Sequence, residues 1–298
     1  MVDVTIEDPP VQGRRGRQAR AGPRYPGWLS LPAVSWYLLF FLGPLAIMGV
    51  YSFAEVSGFT DVAFTWNLDN YRYLWDPLYG TIFKRTLWLS LVGTALCLIV
   101  AFPFAYYLAR YSQRKTLLLM LVIVPFWTSF LIRTYSWLII LDPQFPLLRA
   151  LHWAGITNGG TILYTRDAIY VGVVYNYLPL MILPLYAALE RMDWSLVDAA
   201  QDLGDGPVRA FRRVTLPLVL PGVVAGSLLV FIPLTGEYLI PVILGGDKTV
   251  FTGQLIAQQF LEARDWPFGS AIAMVVIAAL TVALLIYARA IGKQEQYG

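Results

Sequence analysis

Six stretches of this chain are apolar over the length of a membrane-crossing helix, at about 28–53, 81–110, 117–141, 167–190, 218–243 and 269–291. Each helical residue adds about 1.5 Å, so crossing a hydrocarbon layer of about 30 Å takes about 20 of them. Backbone groups inside lipid must pair within the spanning structure, which admits helices or closed barrels, and these runs lack the alternation of barrel strands. The expected fold class is all-α, a polytopic membrane protein of six transmembrane helices. With 57% hydrophobic and 14% charged residues, the balance is too apolar for a soluble domain of this size.

Lys and Arg accumulate in loops that stay in the cytoplasm, so their distribution orients the spans. The amino terminus (Arg14, Arg15, Arg17, Arg20, Arg24), the 110–116 segment, the 191–217 loop and the carboxyl tail hold 14 of the 22 basic residues. The other side holds seven, and Arg133 lies inside a span. Both termini and the 191–217 loop are therefore predicted cytoplasmic. Residues 1–27 carry Arg, Pro and Gly without the apolar core of a secretory signal, and are expected to be a disordered tail. The membrane domain is expected over 28–291 and a short tail over 292–298. The net charge of +3 follows from the inner loops and fits lipid contact, not nucleic acid. One cysteine, Cys97, makes no intrachain disulfide, and one histidine, His152, makes no metal cluster.

No segment matches the phosphate-cradling G-x-x-x-x-G-K-[ST] loop; Gly245-Gly246-Asp247-Lys248-Thr249 lacks its spacing. No soluble stretch is long enough for a nucleotide-binding domain, and no nucleophile and base have catalytic spacing near His152. The chain is expected to bind no cofactor and to catalyse no bond change; if ATP drives it, a partner hydrolyses the ATP.

The 191–217 loop is too long and too patterned merely to reverse the chain. It contains Asp198-Ala199-Ala200-Gln201-Asp202-Leu203-Gly204 and, nine residues on, Val214-Thr215-Leu216-Pro217. Ser195 is a candidate N-cap for a short helix whose apolar stripe is Leu196, Val197, Ala199, Ala200 and Leu203, ended by Gly204. Pro207 can begin a second helix running through Phe211 to the fifth span. The result is a helix-turn-helix bracket. The other reading is an amphipathic loop held on the inner leaflet by Arg209, Arg212 and Arg213.

The spacing D-A-A-x3-G-x9-V-x-L-P resembles the "EAA" loop of the permeases of bacterial ABC importers, with Asp198 where that family usually has Glu and Val214 where it often has Ile. Pro125-Phe-Trp-Thr-Ser-Phe-Leu-Ile-Arg-Thr-Tyr-Ser-Trp137, Gly236-Glu-Tyr-Leu-Ile-Pro-Val-Ile-Leu-Gly-Gly246 and Asp265-Trp-Pro-Phe-Gly-Ser-Ala271 are similar to its spermidine/putrescine (PotB/PotH-like) branch. The resemblance covers about residues 28 to 291. It implies the type I importer permease fold, with Asp198, Ala199, Ala200, Gly204, Phe211, Leu216 and Pro217 coupling to the ATPase. It also implies a second homologous permease (PotC-like), a dimer of ATPase subunits (PotA-like) that hold ATP and Mg, and an extracytoplasmic solute-binding protein (PotD-like).

Ionisable residues inside spans are costly unless paired or wet, which marks Arg133 and Glu237. They either pair with each other, locking the third and fifth helices, or face the solute. A path for a flexible cation would combine a carboxylate with aromatic faces, and Glu237, Tyr238, Trp127, Tyr135 and Tyr177 supply both. Pro103, Pro125, Pro179, Pro184, Pro221, Pro233 and Pro241 are expected to interrupt spans, and Gly222-x-x-x-Gly226 to let the fifth helix pack closely, within the subunit or across a dimer. The alternatives are the same machine carrying phosphonate, iron, sugar or an amino-acid-like solute, or an ion-gradient-driven secondary transporter. The second would show inverted repeats, and none is evident.

Overall fold

The structure is a computed structural model that describes residues 31–58, 61–155, 161–246 and 248–292. The expected tails fall outside these residues, except that Gly292 still ends the last helix. The chain divides into two compact units, one ending at Ile47 and one beginning at Met48.

The described part of the first unit is helical from Leu31, with a π-helical turn over Leu38–Leu42. One turn apart, the Trp36 and Phe40 rings meet tilted and those of Tyr37 and Phe41 stack, with centroids 4.2 and 4.8 Å apart. As a continuous apolar segment, Leu31–Tyr51 is long enough to cross a membrane.

Four further helices in the second unit pass the same test: Pro77–Arg110, Arg166–Glu190, Pro207–Thr235 and Trp266–Ile286, the last running on to Gly292. They are the second, fourth, fifth and sixth spans. The third differs from expectation. In place of one helix over 117–141, Lys115–Trp127 and Phe130–Ile140 meet at 96°, so six crossings result only if this bent pair is one span. Pro125 offers no N–H to continue an α-helix, and the turn around it is 3-10 over Val124–Trp127. Thr128 and Ser129 then take extended backbone angles, ψ 154° and 134°, and complete the break.

The fifth span also differs. The helical segment Pro207–Thr235 is longer than the predicted 218–243 at its start and ends sooner; a turn at Gly236-Glu237-Tyr238 separates it from a short helix, Leu239–Gly245. The other prolines interrupt less than expected: Pro103, Pro179, Pro184, Pro221 and Pro233 lie inside helices that continue through them.

The second, fourth and fifth spans form the core, with Cys97, Ala101, Ala105, Met181, Leu185, Val219, Val230 and Leu234 buried between them. Glycines set how closely they approach. A Cβ on Gly222 would lie 2.4 Å from the Ala188 Cβ and 2.9 Å from the Pro184 carbonyl oxygen, and one on Gly226 would lie 2.9 Å from the Met181 sulfur. The Gly222-x-x-x-Gly226 pair thus packs the fifth span on the fourth within this subunit. At one end of this core, the backbone N–H and the hydroxyl of Thr252 lie 2.8 and 2.9 Å from the Thr86 hydroxyl, tying helix Thr252–Gln258 to the second span.

Candidate functional site: a coupling bracket and a buried carboxylate

The 191–217 loop folds as two helices at a sharp turn. Ser195 is not the cap expected of it but the first residue of helix Ser195–Asp202, because Asp193 accepts its backbone N–H at 3.0 Å. Through its hydroxyl and its N–H, Ser195 holds the Asp193 carboxyl below the usual carboxylate range. Gly204 turns the chain at φ +94°, a left-handed geometry that a side chain would strain, and Pro207 opens the next helix. That helix passes through a π-turn at Phe211–Thr215 into the fifth span without a break at Leu216-Pro217.

The expected apolar stripe is divided. Val197 is buried and Ala200 half-buried, whereas Leu196, Ala199 and Leu203 face outward, Leu203 being 90% exposed. Val208, just past the turn, is 72% exposed. The bracket therefore roots itself with one face and presents apolar side chains with the other. Phe211 packs edge-on against Phe102 at 5.4 Å and lies 6.2 Å from Tyr106, both on the second span. Leu216 and Pro217 are exposed at the base of the fifth span.

Asp198 accepts from the Arg110 guanidinium at 2.7 Å, and that guanidinium lies over the Trp194 ring at 4.8 Å. Asp205, in the turn, pairs with Arg213 at 3.2 Å and with Arg209 at 3.6 Å. The sequence pattern did not reveal Arg110 as part of the bracket, nor the ion pairs that Asp205, expected just before the Pro207 helix, makes there. The available signal was Arg110 itself, a cation ending a long apolar run on the same predicted side as the loop.

Among the path candidates, the structure brings Glu237 and Tyr177 together. Glu237 is 8% exposed; its Oε2 accepts the Tyr177 hydroxyl at 2.5 Å and its Oε1 accepts the N–H groups of Leu239 and Ile240 at 2.9 and 3.2 Å. The carboxylate thus caps the short helix that follows it. No ion pair joins Glu237 to Arg133, so the expected alternative of a lock between the third and fifth helices is absent. Arg133 forms no ion pair with any described residue; its guanidinium lies 4.4 Å from the Phe126 ring and 5.9 Å from the Phe130 ring. Phe130 in turn meets the Tyr177 ring at 6.4 Å, so an aromatic pair stands between the two ionisable residues. Trp127, Tyr135 and Tyr238 are exposed, at 81%, 48% and 38%.

Residues 98–294 match the family described as binding-protein-dependent transport system inner membrane component. The chain belongs to this family. The permease is also 40% identical over 260 residues to the spermidine/putrescine transport system permease protein PotB of Escherichia coli (strain K12), covering 86% of this chain and 94% of that protein. It is 38% identical to PotB of Haemophilus influenzae over 258 residues, covering 86% and 90%. Its fold is that of a bacterial ABC transporter involved in the import of the acidic polysaccharide alginate, at TM-score 0.64 and 17% identity, covering 88% of this chain and 96% of that one. The permease is a multi-pass inner-membrane transport component, and the EAA-like spacing read from its sequence lies within the matched region.

Proposed function

We propose that this chain is one of two permease subunits of an ATP-driven importer of polyamines, spermidine or putrescine, delivered by a solute-binding protein. The observation that carries this reading is the 38 to 41% identity to PotB proteins over 86% of the chain. In this reading a PotC-like permease completes the pathway, and a PotA-like ATPase dimer beneath it holds ATP and Mg and performs the hydrolysis. A PotD-like binding protein docks from outside. Both termini and the bracket are cytoplasmic, with residues 1–27 and 292–298 as tails.

Coupling begins at the exposed apolar face of the bracket, Leu203 and Val208, against which the ATPase closes, with Asp198, Ala199, Ala200 and Gly204 shaping the contact. The bracket's second helix is continuous with the fifth span, whose far end is the turn carrying Glu237. Motion of the ATPase therefore reaches the Glu237 turn through one helix. There the carboxylate and the rings of Trp127, Tyr135, Tyr177 and Tyr238 offer a polyamine the charge and π-faces that cations favour within about 6 Å. Arg133, on the far side of Phe130, repels a cation and keeps it toward Glu237.

The test is purification of the tagged subunit with its partners in mild detergent, mass spectrometry of the complex, and ATPase assay of the reconstituted importer with loaded binding protein. Stimulation by polyamine-loaded protein supports the reading. Stimulation by another solute keeps the machine and removes the cargo, and uptake by the lone subunit on an ion gradient removes both.

A further inference from the structure

At the end of the spans away from the bracket, the second and fourth helices present matching faces to one cleft of about 220 Å³. Thr81, Lys84, Arg85 and Trp88 recur at i, i+3, i+4 and i+7 on the second span, and Arg166, Ile169 and Tyr170 at i, i+3 and i+4 on the fourth, so each set shares one helix face. Thr249 and the buried side chains of Leu89 and Phe251 complete the lining. Three cations converge here, and none of them forms an ion pair with a described residue. Three hydroxyls, on Thr81, Tyr170 and Thr249, stand among them. All three side chains reach solvent, yet like charges gathered in one cleft repel one another, and an anion bound among them relieves that repulsion.

Depth identifies the anion. The second span has 34 residues and is about 51 Å long, against about 30 Å of hydrocarbon, so when centred in the bilayer it projects about 10 Å beyond each face. Lys84 and Arg85, about 10 to 12 Å from the start of that helix, fall at the boundary between hydrocarbon and headgroups. Arg166 begins the fourth span, whose 25 residues reach about 37 Å and put its end at headgroup level. Below the cations the same face of the second span continues into exposed apolar side chains, Trp88 at 63%, Leu91 at 56% and Ile99 at 65%. A charged cleft at headgroup depth above an exposed apolar stripe fits an amphiphile, not a free ion.

We propose that this cleft binds the phosphodiester headgroup of an anionic membrane lipid, with Lys84, Arg85 and Arg166 neutralising the phosphate and its acyl chains lying along Trp88 and Leu91. The site is separate from the bracket and from the Glu237 turn, and it stands whether or not the cargo is a polyamine.

The test is native mass spectrometry of the assembled importer in micelles doped with phosphatidylglycerol or with phosphatidylcholine. It compares the natural protein with the triple variant Lys84→Gln/Arg85→Gln/Arg166→Gln and with the charge-keeping Lys84→Arg/Arg85→Lys/Arg166→Lys. The expected result is phosphatidylglycerol retained by the natural and charge-keeping proteins, about tenfold less of it by the neutral variant, and little phosphatidylcholine on any of them. Equal retention by all three proteins would overturn the proposal. Excess inorganic phosphate stripping the lipid would overturn it in favour of a free-ion site, and a photo-crosslinker at Thr81 that captures the binding protein in place of lipid would overturn it in favour of a protein contact.

Discussion

The Tyr177 hydroxyl donates to Glu237 Oε2 at 2.5 Å and so joins the middle of the fourth span to the turn that ends the fifth. With two backbone N–H groups on its other oxygen, the buried carboxylate accepts three hydrogen bonds. Tyr177→Phe removes one of these and is expected to lower the stability of the purified protein by about 1 to 3 kcal/mol. Thermal unfolding in detergent measures this. Glu237→Gln separates the structural and transport roles: a loss of polyamine uptake well beyond any loss of folded protein places solute on Glu237, whereas a loss in proportion to folded protein leaves it only as a helix cap.

The Arg110–Asp198 pair is partly open to solvent, with side chains 22% and 59% exposed, so it contributes less than about 1 kcal/mol. Asp198→Asn is therefore expected to leave thermal stability nearly unchanged while lowering the stimulation of ATPase activity by binding protein several-fold. A charge swap, Arg110→Asp with Asp198→Arg, should restore the pairing. Failure of the swap to recover any stimulation would show that Asp198 acts through the ATPase alone.

Leu203 and Val208 are apolar and exposed on a bracket otherwise rich in charge. Replacing either by Glu costs the isolated fold little, since neither side chain is buried. Co-purification should report the change, with ATPase subunits lost from the Leu203→Glu protein while it is still inserted in the membrane at its normal level.

Gly222 faces Ala188 and the Pro184 carbonyl with no room for a side chain. Gly222→Val is expected to cost about 1 to 3 kcal/mol or more by forcing the fourth and fifth spans apart. Gly206, whose added Cβ would meet nothing within 4 Å, is the matched control: Gly206→Ala should have little effect in the same unfolding assay.

Arg133 is 7% exposed, has no ion pair among the described residues, and is packed on the rings of Phe126 and Phe130, which come from the two sides of the break in the third span. Desolvating a cation without a counter-charge is costly, and an unbranched apolar replacement keeps the packing of its stem. Arg133→Met is expected to leave the melting temperature unchanged or to raise it. A large fall would mean that the cation holds the bend together through its rings.

Five of the six spans and the bracket were legible because each rests on a local pattern: lipid-length apolar runs, and Gly204 and Pro207 at turn positions. Which of the span prolines would break a helix was not. Pro125 sits at the first break, whereas five other prolines lie inside helices that continue, so proline alone does not locate a break. At the second break Glu237 caps the helix that follows, accepting the N–H groups of Leu239 and Ile240. Intramembrane charge pointed to Arg133 and Glu237 as unusual, but not to their partners: Tyr177 reaches Glu237 from another helix, and Arg133 turns to Phe126 and Phe130 of its own span. Arg110 was counted only as a topological charge; its role as the anchor of Asp198 depends on a contact 88 residues away in sequence.

The close contact at Gly222 and Gly226 divides the Pro207–Thr235 helix unequally. About 22 Å of it lies on the bracket side and about 14 Å on the side of Glu237. A rod pressed against its neighbour at such a point behaves as a lever on a fulcrum. A push at Pro207 would reach the Glu237 turn reversed in direction and reduced to about two-thirds of its size.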